Sequence, residues 1–275
     1  MRRRRLAAEL HRLRTTARLT LEEVAGHLEC SPAKVSRIEN GQVAVRIQDA
    51  RELLDLYYVQ GDQRTALLQM VRQARSKGWW ASYGDLLDES SQTMLSLEDE
   101  ASAILVYETN LVTPLLQTRR YAWEVLSSRP DSKLDLVQRR VDLQMARQQI
   151  LDRPNAPRLN VVLDEASLRR AVSIPDIMRE QYERLAAVAR RTGISLRVLP
   201  FDAGAYQAMG FPFQIFEFID DDPDLVYVEL LNHGEIFESA EEVGRYRAAF
   251  NQVRERSLPE EESRNLLDKL AKDYV

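Results

Sequence analysis

Leu19-Thr20-Leu21-Glu22-Glu23-Val24-Ala25-Gly26-His27-Leu28-Glu29-Cys30-Ser31-Pro32-Ala33-Lys34-Val35-Ser36-Arg37-Ile38-Glu39-Asn40-Gly41 is the stretch that decides how this chain folds. Thr20-Leu21-Glu22-Glu23 has the form of a capping box: the Thr hydroxyl can satisfy an early helix amide while Glu23 reaches back to the cap. Leu21, Val24, Ala25 and Leu28 then share one helical face. After Glu29-Cys30, Ser31 is a good N-cap and Pro32 suits the first helical position, which predicts a second helix to about Glu39. Asn40-Gly41 stops it, because both residues tolerate left-handed backbone. Two short helices joined by a tight turn form the helix-turn-helix plan, in which the second helix enters the major groove of DNA.

Working outward, Leu6, Leu10 and Leu13 place a preceding helix on the same core, and Val45 to Leu56 and Asp62 to Ala74 supply two following ones. On the second helix of the motif, Ala33, Lys34, Ser36 and Arg37 lie away from the apolar Val35 and Ile38. The fork of Arg37 fits guanine O6 and N7, Lys34 and Ser36 suit phosphates, and Ala33 suits a thymine methyl. Thr20, Ser31, Asn40 and Arg46 complete the candidate DNA-binding set. Arg2 to Arg5 are a candidate arm for phosphates or the minor groove, weighed against a solvated charged terminus.

The net charge of −5 conceals an asymmetry: residues 1–78 carry 15 Lys and Arg against 9 Asp and Glu, and the remainder 23 against 34. A basic module on an acidic body follows, with double-stranded DNA as the partner of the first and repelled by the second. Gly78-Trp79-Trp80 marks the boundary, giving domains 1–78 and 79–275. Ten glycines in 275 residues are below the average of roughly 7%, which favours helices. One cysteine, Cys30, excludes an intramolecular disulfide and a cysteine-based zinc site and fits a reducing compartment. With no apolar run of transmembrane length, the expectation is a cytoplasmic protein without a membrane partner.

The larger part reads as mixed α and β. Helices are expected over Met94 to Val106, Pro114 to Leu126, Leu134 to Leu151 and Pro175 to Thr192. Strands are expected over Leu159 to Leu163 and Ser195 to Leu199, with a hairpin of Phe213 to Ile219 and Leu225 to Glu229. Capping boxes at Ser239/Glu242 and Ser257/Glu260 open two closing helices. The fold class is therefore α+β and mostly helical: a five-helix N-terminal domain, then a mixed domain with a small sheet.

The motif of Leu19 to Gly41 resembles the Xre and phage-repressor family of lambda-repressor-like, five-helix DNA-binding domains. That resemblance implies an internal ion pair between Arg14 and Glu39, and the family often has Gln where Leu21 stands. Leu97-Glu98-Asp99-Glu100-Ala101, Leu115-Leu116-Gln117-Thr118 with Tyr121-Ala122, Arg147-Gln148, Leu163-Asp164-Glu165, Val198-Leu199-Pro200-Phe201 and Val226-Tyr227-Val228-Glu229 resemble the C-terminal domain of actinobacterial regulators of the WhiJ type. In those regulators Pro-Gly usually precedes Leu-Leu-Gln-Thr, where this chain has Thr113-Pro114. The resemblance implies a transcription regulator, often with a small companion protein encoded nearby and sometimes antitoxin-like.

No enzyme motif competes: GxGxxG, Walker and HExxH patterns are absent. His11, His27 and His233 lack partners at metal spacing and read as surface or packing residues. Asp220, Asp221, Asp222 and Asp224 read as a solvated turn, and Glu98/Glu100 and Asp164/Glu165 as caps and dipole partners beginning helices rather than acid–base pairs. The aromatics Trp79, Trp80, Tyr83, Phe211, Phe213, Phe216 and Phe218 read as core. With Phe213 and Ile215 on one face of the hairpin and Phe216 and Phe218 on the other, two covering layers or a partner are required. The expectation is a non-enzymatic, sequence-specific regulator without a cofactor, a homodimer whose acidic C-terminal domain takes a partner protein or ligand. The alternative is an antitoxin-like protein that sequesters its small companion and binds DNA for autoregulation.

Overall fold

The computed structural model describes residues 2–43, 45–75, 78–128, 133–219, 222–231 and 233–273, with the side chains of 2–4, 69 and 72–75 outside the description. The chain divides into two compact units, 1–81 and 82–275. The first is α1 (Arg2–Thr16), α2 (Leu21–His27), α3 (Pro32–Glu39), α4 (Ile47–Leu56) and α5 (Gly61–Arg75). Their shared core is built from Leu6, Leu10, Val24, Val35, Ile38, Leu53, Leu54 and Leu67. Arg2 to Arg5 begin α1 as helix rather than preceding it as an extended arm.

Four of these helices end in the same way. Leu19 N donates to Arg14 O, Cys30 N to Ala25 O, Gln42 N to Arg37 O and Val59 N to Leu54 O. Each is the long hydrogen bond of a Schellman motif, which needs left-handed backbone one residue earlier. Those residues are Arg18 (φ 57°), Glu29 (φ 49°), Gly41 (φ 69°) and Tyr58 (φ 57°). Leu19, Cys30 and Val59 follow them and turn into the core. Asn40, with φ of −95°, does not share the left-handed conformation expected of it.

The second unit holds a six-stranded mixed sheet in the order β3-β2-β1-β4-β5-β6. The strands are β1 (Ala103–Glu108), β2 (Arg158–Asp164), β3 (Ile194–Leu199), β4 (Phe213–Glu217), β5 (Leu225–Glu229) and β6 (Gly234–Phe237). β1, β2 and β3 are mutually parallel, whereas β4, β5 and β6 continue antiparallel. The helices are α6 (Glu89–Glu100), α7 (Arg119–Ser127), α8 (Leu134–Gln148), α9 (Glu165–Arg169), α10 (Pro175–Val188), α11 (Ala240–Arg256) and α12 (Glu260–Asp273). One sheet face packs Leu105, Tyr107, Phe213, Ile215 and Val226 on Val243, Phe250 and Val253 of α11. Ile104, Val106, Leu159, Val161 and Phe216, on the other face, are equally buried, so the hairpin is covered on both sides. Of the expected aromatic core only Phe213 and Phe216 are buried; Trp79, Trp80, Tyr83 and Phe218 are partly buried, and Phe211 is 69% exposed. The outer edge of β3 is closed: Val198 N donates to Ser263 Oγ of α12, and Leu258 N to Val198 O.

Several expected elements change identity. Met94 to Val106 is not one helix: α6 ends at Glu100, Ala101 is extended, and the chain enters β1. Ser102 starts the pairing, its N–H donating to Glu217 O. The helix expected from Pro114 is a 3₁₀ turn over Pro114–Leu116, and α7 begins only after Thr118 caps it through Tyr121 N. Buried Gln181 holds that break, accepting from Thr118 N and donating to Leu116 O. Ser257 does not open the last helix; it closes α11, donating to Val253 O, while Glu260 accepts from Ser195 Oγ. Glu98 lies in the last turn of α6, not at a helix start, and forms a forked pair with Arg147.

Candidate nucleic-acid interface

Both helices of the motif are capped at their N-termini. Thr20 N donates to Glu23 Oε2 at 2.8 Å and Glu23 N to Thr20 Oγ1 at 3.2 Å, completing the capping box. These hydrogen bonds hold the Glu23 carboxyl below its ordinary range. Ser31 caps α3 by accepting from Lys34 N at 3.3 Å. Leu21, where the resembling family often has Gln, packs partly against the core.

Beneath α3 lies the anchor of the unit. Arg14 grips Glu39 with Nε to Oε1 at 2.7 Å and Nη2 to Oε2 at 2.9 Å, and donates Nη1 to Leu19 O at 2.7 Å. His11 Nδ1 reaches Glu39 Oε2 at 2.8 Å, a packing role rather than a ligand's. The hydrogen bonds to Glu39 raise the Arg14 guanidinium above its usual range, and burial pushes the neighbouring Tyr57 phenol up. Bidentate geometry fixes direction as well as charge, so α3 is held to α1 in one orientation.

With Val35, Ile38 and Glu39 buried, the outer face of α3 presents Ala33, Arg37 and Asn40 to solvent, with Ser36 partly exposed. Among the described residues no hydrogen bond or ion pair engages the Arg37 guanidinium. Asn40 Nδ2 donates to Ser36 Oγ at 3.3 Å, one turn apart. Lys34 departs from the expected free cation: its Nζ is 2.8 Å from Asp49 Oδ2 of α4. A phosphate would have to compete with that carboxylate. Arg46 is exposed at the N-terminus of α4, without a side-chain cap bond. Gln42, Val43 and Gln48 are also exposed in the segment after α3, and sequence reasoning did not select them. The return of Gln42 N and Val43 N to Arg37 O, which brings this segment back to α3, was the signal available in Gly41.

Of the other candidate chemistry, Asp224 pairs with Arg247, Asp164 caps α9 through Ala166 N, and Asp220 and Asp221 lie outside the described residues. Among the described residues no group of three His, Cys, Asp or Glu side chains is arranged for a metal, and no helix is long and apolar enough to cross a membrane.

Residues 5–67 match the family model of a helix-turn-helix domain, and residues 91–269 match that of a domain of unknown function, DUF5753. Comparison with curated proteins and with solved structures returns no match.

Proposed function

We propose, for a chain that belongs to the DUF5753 family and carries a helix-turn-helix domain ahead of it, a sequence-specific DNA-binding regulator of transcription. The observation that carries this reading is α3, capped at both ends, clamped from below by Arg14–Glu39, and offering an exposed, unengaged Arg37 on its outer face. A rigid helix with an uncommitted guanidinium suits a base edge in the major groove. Lys34, already neutralised by Asp49, contributes less to phosphate binding than a free lysine. The protein acts in the cytoplasm as a homodimer on two half-sites and performs no catalysis. Its C-terminal domain takes a partner protein or ligand that biases DNA binding, an allosteric coupling in the thermodynamic sense.

Recovery and sequencing of fragmented genomic DNA retained at moderate salt tests this, with Arg37→Ala beside the unaltered protein. A few sharp peaks sharing one motif are expected, and the substitution should cost about 1–3 kcal/mol on that motif while relaxing one base position. Broad recovery, equal for both proteins, would reduce the activity to charge-driven binding and sink the reading.

A further inference from the structure

Glu108 ends β1 and Glu229 ends β5, and because both strands run antiparallel to β4 between them, these ends lie at the same end of the sheet. Alternation places Ile104, Val106 and Glu108 on one face. Gln214 stands on that face beside Val106, Tyr227 stands beside Gln214, and Glu229 follows two residues later. Gln214 thus occupies the strand between two carboxylates. It is only 7% exposed, and its carbonyl oxygen Oε1 has no hydrogen-bond partner among the described residues.

The Glu108 carboxyl is pushed up to about 8, by burial first and by Glu229 second, with Arg147 opposing. Arg147 is already committed to Glu98, its Nε 2.6 Å from Oε2. This end of the face therefore carries two carboxylates, that of Glu108 partly buried and that of Glu229 exposed, and next to them a buried amide carbonyl without a donor among the described residues. A buried acceptor left unmet and a partly buried carboxylate with a like charge on the same face both cost stability, and folds retain such breaches mainly where a site uses them.

We propose that this end of the sheet binds a small organic cation, a primary amine or guanidinium with several N–H donors, seated between Glu108 and Glu229 and donating to Gln214. The inference rests on reading the C-terminal domain as the regulatory half and names its ligand class. A divalent metal suits the site less, since among the described residues no group of three His, Cys, Asp or Glu side chains is arranged to hold one.

Calorimetric titration of the full chain with putrescine and with agmatine, and with butanediol as the neutral analogue of the diamine, tests it. Saturable binding of an amine and none of the diol is expected, with Glu108→Gln and Glu229→Gln each weakening it about tenfold or more. Glu108→Gln also removes the repulsion, so its thermal unfolding temperature should hold or rise, which a residue of purely structural importance would not allow. Lack of saturable binding by both amines, or undiminished binding by Glu108→Gln, overturns the site. DNA retention with the amine at saturation reports separately on regulation: unchanged retention would leave the amine site standing and remove its coupling to DNA.

Discussion

In the N-terminal unit the buried carboxylate of Glu39 meets a guanidinium at 2.7 and 2.9 Å, whereas in the C-terminal unit the partly buried Glu108 has a second carboxylate, Glu229, on its own sheet face. Glu98 and Arg147 show that the second unit can also build a forked pair, so the arrangement at Glu108 is local rather than a property of that unit. The contrast separates two uses of buried charge. A paired carboxylate fixes one element against another, as Glu39 fixes α3 to α1, and its contribution is geometric. An unpaired one costs stability and keeps an attraction in reserve for whatever supplies the missing donors.

The largest effect should come from breaking the pair. Glu39→Ala strands the Arg14 guanidinium, whose side chain is 13% exposed, and should destabilise the N-terminal unit by about 3–5 kcal/mol, read from hydrogen exchange of the α3 amides. A loss below about 1 kcal/mol would class the pair with solvent-screened surface bridges. Next, Glu108 should give stability a pH dependence. Its folded value of about 8 lies above the ordinary 4.5, so between these the folded state keeps a proton that the unfolded state has released. Stability should therefore fall as pH rises through that window and level off above it. Thermal unfolding across the window should show the slope, and Glu108→Gln should remove it; an identical slope in the variant would assign it to other groups. The smallest effect sharpens the comparison within the first unit. Glu29, at φ 49° in the motif's turn, should gain about 1 kcal/mol when changed to Gly, measured as a shift of the urea midpoint.

The first unit was legible because its signals are local. Thr20, Glu23, Ser31, Pro32 and Gly41 each act on backbone within a few residues, and the structure uses all of them. Even there, the left-handed ends at Arg18, Glu29 and Tyr58 were invisible, since long side chains advertise no such backbone. What gives them away is the residue that follows, Leu19, Cys30 or Val59, turned onto the core by the motif. In the second unit, β1 was read as helix because Ala103-Ile104-Leu105-Val106-Tyr107 is buried on both faces and shows no alternation. β6, four residues long, carries too little pattern to register. Glu108 and Gln214 had no signal at all, because they become neighbours only through strand register across about a hundred residues of chain.

That register also sets an order in time. β1 is flanked by β2, paired from Arg158 onward, and by β4, paired from Phe213 onward, so the central strand cannot be closed on either side until long loops have been brought together. The helices of the N-terminal unit find all their core partners within residues 2–75. During synthesis the helix-turn-helix can complete itself while the sheet is still waiting for its partners, leaving the apolar β1 unsheltered on the nascent chain in the meantime. The price of a mixed sheet is thus a vulnerable interval, in which α3 is already formed and the domain proposed to govern it is not.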